Sequence, residues 1–248
     1  MSVAESSPSE GRPLKTHEVI ARQLRDQILR GELTAGQRLP PEDELTEQYG
    51  IARTTLREAL RVLESQGLLT IRRGRGGGPE ITHPDLRPAA TALAISLRLD
   101  GTTLGDLAEA REMIEPSLAA KLALEHTDDD LAALEAAVAS AHAAAERNDV
   151  VAFGLAADEV HETLIERSGN RTLATVAQLM HDMVRAYYAT AAARADQKTM
   201  RRAVRSYRRF IEIIASGDAE AASAHWTAQL QYTSRSSNRD SPLPLPAD

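Results

Sequence analysis

Arg53, Arg57 and Arg61 recur every fourth residue, and Thr54 and Thr55 stand beside the first of them. Guanidinium forks at that spacing, next to short hydroxyls, suit the recognition of phosphates and of base edges, where planar donors meet paired acceptors. A second basic run, Arg72-Arg73-Gly74-Arg75, ends in three glycines and is followed by no Gly-Lys-Ser/Thr sequence, so it reads as a flexible basic tip rather than a nucleotide-phosphate loop. Farther along, Arg111 with Glu115, Asp158 with His161, and His181 with Asp182 are spaced for ion pairing or metal chemistry.

The three arginines need a helix to align them, and residues 51–66 supply it. Leu56, Leu60 and Leu63 follow the i, i+4, i+7 pattern of one buried face, with Ala59 filling beside them. Thr54 and Thr55 then fall in the first turn, where unpaired backbone NH groups favour an anion. Residues 41–49 begin with Pro, carry Glu42, Asp43 and Glu44 at the start, place Leu45 and Tyr49 one turn apart, and predict a short helix ended by Gly50. A short helix, a Gly turn and a second helix with arginines at its N-terminal end is the helix-turn-helix plan. Two short strands, 68–73 and 79–82, flank the basic tip as a wing.

As it stands from Leu39 to Gly74, the pattern LP-E-EL----G--RTTLREAL--LE--GLLTI--G closely resembles the winged helix-turn-helix domain of GntR-family bacterial transcription regulators. The resemblance implies that Arg53, Thr54, Thr55 and Arg57 contact double-stranded operator DNA, while Arg73 and Gly74 hold the wing tip over the adjacent minor groove. The chain departs from the family at Asp43, where many members carry Arg, so a family contact to DNA is expected to be missing.

Charge agrees with that reading once it is partitioned. The net charge is -7, yet residues 1–82 hold 12 Lys+Arg and 12 Asp+Glu, and residues 83–234 hold 15 and 22. Within residues 51–76, six arginines face only Glu58 and Glu64, the local basic stripe that phosphate attraction requires. Cysteine is absent, which excludes disulfides and thiolate chemistry. The first residues lack the apolar core of a signal peptide, and no run of about 18 apolar residues exists. A cytoplasmic protein without a membrane span is expected.

The 248 residues divide into a disordered start at 1–13, a DNA-binding domain at 14–82, a linker with a short helix at 83–102, an effector-binding and dimerisation domain at 103–233, and a loose Ser/Pro-rich tail at 234–248. Residues 16–30 predict the helix that supports the DNA-reading one. After 103, Ala/Leu-rich periodicity predicts helices over 104–125, 128–147, 150–168, 171–193, 200–216 and 219–233. Thr127 with Asp130 reads as a capping box, and Ser168-Gly169-Asn170 and Ser216-Gly217-Asp218 as a stop followed by a cap. The fold class is mainly α: a winged helix-turn-helix with a small β-wing, then an antiparallel all-α bundle.

This second domain is similar to the FCD effector domain of the FadR subfamily. The likeness rests on Leu104-Gly105-Asp106-Leu107, Arg111 with Glu115-Pro116, His161 before Ser168-Gly169-Asn170, and Gly217-Asp218-Ala219-Glu220-Ala221-Ala222. Metal-containing members hold a divalent ion with one Asp and three His, and those positions project onto Ala157, His161, Tyr207 and Gln229. With only the His kept, no metal cofactor is expected, although Asp158 and His225 leave a rearranged site conceivable. The resemblance instead implies that Arg111, His161, Tyr207 and Gln229 line the pocket of a small-molecule effector, Arg111 holding a carboxylate. A plain ion pair between Arg111 and Glu115, and a buried hydrogen-bonded His161, are the structural alternatives.

The basic run Arg194, Lys198, Arg201, Arg202, Arg205, Arg208 and Arg209 adds an acyl-CoA as an alternative to a carboxylate metabolite, its phosphates on the arginines. The expected protein is a homodimeric, effector-controlled DNA-binding regulator and not an enzyme. Two competitors remain: an all-helical metal hydrolase using His181-Asp182 with His142 and His161, and a DNA-binding scaffold whose bundle only dimerises.

Overall fold

The computed structural model describes residues 15–72, 74, 77–192, 196–235 and 238–244, with side chains described except at 186–192. The expected disordered start, 1–13, lies outside them. The chain forms two compact units that divide between Asp85 and Leu86.

In the first unit, α1 (Thr16–Leu29), α2 (Glu42–Tyr49) and α3 (Arg53–Ser65) are followed by β1 (Leu69–Arg72) and β2 (Gly78–Ile81). Leu56, Ala59, Leu60 and Leu63 are fully buried and meet Ile20 and Leu24 of α1 and Leu45 of α2. Each such leucine contributes about 1.5–3 kcal/mol of burial, so α3 is anchored along one face and free on the other. Gly50 ends α2 at φ +63°, a left-handed turn that a residue with a Cβ adopts at a cost of about 1–2 kcal/mol. The strands pair antiparallel, Leu69 opposite Ile81 and Arg72 opposite Gly78. Residues before α2 line the other edge of β2, through Ile81 N–H to Gln37 O and Leu39 N–H to Pro79 O at 2.9 Å each. That edge escapes a strand pattern because only one isolated bridge, Arg38 with Glu80, is formed.

The second unit is all-helical: α4 (Arg87–Leu99), α5 (Leu104–Glu125), α6 (Asp128–Glu146), α7 (Val150–Arg167), α8 (Arg171–Ala192), α9 (Gln197–Ser216) and α10 (Ala219–Arg235). Its core gathers Leu122, Leu134, Val160, Leu164, Phe210, Ile214 and Trp226. Capping boxes at Thr103 with Asp106 and at Thr127 with Asp130 start α5 and α6. Asp196 Oδ1 accepts from Thr199 N–H at 2.8 Å, which starts α9 before the expected Met200.

Two expectations are corrected. The linker helix α4 belongs to the second unit, with Ala94 packed among Leu104, Leu107, Met180, Met183 and Val184. The tail is not loose throughout: α10 runs on to Arg235, and residues 238–244 lie along the start of α5. Leu104 N–H donates to Ser241 O, Gly105 N–H donates to Arg239 O, and Leu243 is fully buried with α4, α5 and α8. A Cβ on Gly105 would sit 3.1 Å from Arg239 O, so the glycine lets the strap pass. One leucine within a polar, Pro-rich stretch supplies the burial that average composition conceals. Among the described residues no helix is long and apolar enough to cross a membrane.

Candidate nucleic-acid interface and ligand site

Helix α3 begins at Ala52, which provides no side-chain cap, so its first-turn amides remain for another acceptor. Arg53 and Thr54 are exposed there, Thr55 is half-buried, and Arg57 and Arg61 are exposed one and two turns on. The sequence does not reveal that α2 supplies counter-charges. Arg53 Nη2 lies 2.6 Å from Asp43 Oδ1, and Arg57 Nε donates to Glu42 Oε2 at 3.0 Å. The signal was the acidic first turn of α2, which dipole complementarity alone would have explained.

On the wing, Arg72 is tied to Glu80 through Nε at 3.0 Å and Nη2 at 3.1 Å. Gly74 is exposed at φ +106°; Arg73 lies outside the described residues. The described face therefore presents Arg53, Thr54, Thr55 and Arg57 together on one helix start.

In the second unit, Arg111 and Glu115 form the i, i+4 pair, Nε donating to Oε1 at 2.5 Å with both residues buried. Trp226 Nε1–H donates to Glu115 Oε2 at 3.0 Å, and the tryptophan is fully buried. Burial opposes ionisation of Glu115, but Arg111 and the nearby His161 together outweigh it and hold the carboxyl well below the usual carboxylate range. His161 Nδ1 stands 3.9 Å from Glu115 Oε2, too far for a hydrogen bond. Its ring is 4.7 Å from that of Trp226 and edge-on to Tyr207 at 6.4 Å. Burial lowers the His161 imidazole against the raising influence of Glu115, and burial pushes the Tyr207 phenol up.

The structure thus gathers Arg111 and His161 around Glu115 and Trp226, which sequence reasoning had not placed at the centre, with Tyr207 edge-on to His161. Gln229 is buried too, but its Oε1 accepts from Ser206 Oγ at 2.8 Å. It lines a cleft of about 140 Å³ between α9 and α10, together with Arg202, Ser206, His225 and Tyr232. Arg202 lies 4.0 Å over the Tyr232 ring, a cation–π contact. In the basic run, Arg201 pairs with Glu146 and Arg209 with Glu212, while Arg194 lies outside the described residues.

The four positions projected from metal-containing relatives do not fit a divalent ion. Only His161 offers an imidazole; Ala157 offers no donor, Tyr207 keeps its proton, and an amide is a poor substitute for a third His. A different trio, Asp158, Glu162 and His181, places one donor atom each within 4.8 Å of the others. Its charge is already met: Arg185 pairs with Asp158 at 2.5 Å and Glu162 at 3.1 Å, and His181 Nε2 bonds Asp158 Oδ1 at 2.7 Å. His181 stacks on His161 at 5.7 Å. By contrast, Asp182 takes a hydrogen bond from Gln178, and His142 lies near Glu146 on α6. The hydrolase constellation is not assembled.

Residues 16–77 match the family described as bacterial regulatory proteins, gntR family, and residues 106–232 match the FCD domain. An uncharacterized HTH-type transcriptional regulator of Mycobacterium tuberculosis is 35% identical over 164 residues, 64% of either chain. The Uxu operon transcriptional regulator of Escherichia coli is 30% identical over 141 residues, 54% of this chain and 50% of that protein. The chain therefore spans between half and two thirds of the length of these two relatives. The galactonate operon transcriptional repressor of Escherichia coli is 26% identical over 201 residues, 80% of this chain and 86% of that one. A solved structure, Streptococcus agalactiae GntR, superposes with a TM-score of 0.70 at 26% identity, covering 88% of this chain and 99% of that chain.

Proposed function

The chain belongs to the GntR family of transcriptional regulators, with an FCD domain, and from that premise we propose a homodimeric, effector-controlled operator-binding protein of the FadR subfamily. One observation carries the DNA-reading assignment: the uncapped start of α3 leaves Arg53, Thr54 and Arg57 exposed and Thr55 half-buried while its leucines are buried. The helix start offers amides and hydroxyls to phosphate, and the arginines offer forks to phosphate or base edges. Gly74, with Arg73 beside it in sequence, brings the wing tip to the neighbouring minor groove. Two copies read the halves of a palindromic site.

The effector is a small carboxylate rather than an acyl-CoA. Arg202, His225 and Gln229 line the α9–α10 cleft and offer polar partners to a compact acid. A relative named for the galactonate operon adds support for a hydroxy-acid class. Arg111, His161, Tyr207 and Gln229 form the ligand-responsive region; Glu115 already holds Arg111, and of the four Gln229 lines the α9–α10 cleft in which the acid is received. No metal takes part. Binding shifts the population between DNA-competent and DNA-incompetent forms, and each tenfold loss of operator affinity requires about 1.4 kcal/mol of preference for the latter.

An anisotropy titration of the purified protein against the DNA upstream of its own coding sequence, at fixed salt and with mixed-sequence competitor, tests the reading. Specific binding relieved by sugar acids or short hydroxy acids is expected. Binding that competitor abolishes removes the operator assignment from that DNA; specific binding that no acid or acyl-CoA alters leaves a scaffold without effector.

A further inference from the structure

We propose that Asp43 is a specificity-determining residue: its carboxylate fixes the Arg53 guanidinium for reading a guanine and withholds it from the phosphate backbone. The inference rests on the DNA-reading assignment of α3.

Arg53 is the first residue of α3, and Asp43 stands in the first turn of α2. Their side chains meet at 2.6 Å while remaining 64% and 71% exposed, so the pair lies on the surface that α3 presents and not in a seam. An unheld arginine at a helix start samples many rotamers, and the flanking phosphates offer it strong, sequence-blind partners. Held from one side by a carboxylate, the guanidinium keeps one plane, which bidentate contact to guanine O6 and N7 demands. The carboxylate also repels phosphates, so any register that brings the backbone against Asp43 is penalised. Specificity rises because wrong complexes weaken more than the right one.

Glu42 and Arg57 provide the internal contrast. Glu42 is only 30% exposed and receives Arg57 Nε with both oxygens, at 3.0 and 3.3 Å. That pair braces α2 against α3, and its loss is expected to change all bases alike.

The test selects binding sites for the full-length wild type, Asp43→Asn and Glu42→Gln from duplexes with a randomised core. Dissociation constants for the selected site and for mixed-sequence DNA are then measured at one salt concentration. The wild type is expected to select a two-fold site with a strongly preferred guanine in each half. Asp43→Asn is expected to relax that one column and to lower the ratio of mixed-sequence to selected-site dissociation constants about tenfold, within the range that one base pair controls. Glu42→Gln keeps the column. An Asp43→Asn profile with the same columns and an unchanged ratio overturns the proposal, as does uniform weakening of every column, which marks a structural role. If the wild type selects no site, the DNA-reading assignment falls first and this inference with it.

Discussion

Each unit holds an arginine against a carboxylate, and the two settings give that pair opposite properties. Arg53 and Asp43 meet across two helices in open solvent, whereas Arg111 and Glu115 sit one turn apart, sealed beneath Trp226. In water an exposed pair adds about 0–1 kcal/mol to folding stability, so Asp43 biases the orientation of Arg53 and repels phosphates without anchoring the fold. The buried pair has lost its hydration already, and removing one partner strands the other. Arginine spacing alone therefore does not mark a ligand contact; the burial of its counter-charge decides whether the pair anchors the fold.

The largest expected effect follows from breaking the sealed pair. Glu115→Gln should cost about 3–5 kcal/mol, the penalty for a buried charge left unpaired, read by urea unfolding with far-UV circular dichroism. A loss below about 1 kcal/mol would mean that the interior tolerates a free guanidinium and that the contrast between the units fails. The same variant should change the acid response. Because the folded Glu115 carboxyl is held low, its contribution is fully present above the unfolded pKa of about 4.3 and is lost as pH falls toward the folded value. His161 acts in the same sense from higher pH: its lowered folded pKa means that stability falls as pH drops below about 6.5. The urea midpoint of the wild type, followed by the single buried Trp226, should thus decline in two stages on acidification, and Glu115→Gln should diminish the lower one, which Asp130 and Asp158, also held low, still supply.

A smaller effect gauges how far the sealed interior extends. Leu243→Ala should destabilise the second unit by about 2–3 kcal/mol, toward the low end for a buried leucine because the strap can move to close the cavity. An unchanged midpoint would show that residues 238–244 contribute no stability. Asp43→Asn, at the exposed pair, should shift the midpoint by no more than about 0.5 kcal/mol.

Much of the fold was legible because its signals are local. The leucine spacing in α3, the acidic start of α2, Gly50, the capping box at Thr127 and the cap at Asn170 each act within a turn or two, and their elements appear within a few residues of expectation. Contacts that depend on what lies opposite were not legible. Nothing in the sequence states that Asp43 faces Arg53, that Trp226 closes over Glu115, or that Leu243 reaches the α4–α5–α8 corner. The i, i+4 spacing of Arg111 and Glu115 left a ligand fork and an internal pair both open, and burial decides for the pair. Gln229 faces the α9–α10 cleft because Ser206 holds its carbonyl oxygen, a partner that a projection from relatives does not carry.

Arg57→Ala tests the central claim most directly. Anisotropy titrations against the selected operator at fixed salt, with Trp226 fluorescence, sedimentation and urea unfolding in parallel, separate DNA reading from folding. The account expects at least a tenfold loss of operator affinity, about 1.4 kcal/mol, with dimerisation and the stability of the second unit unchanged. Operator affinity equal to that of the wild type would contradict the assignment of α3 as the helix that reads DNA.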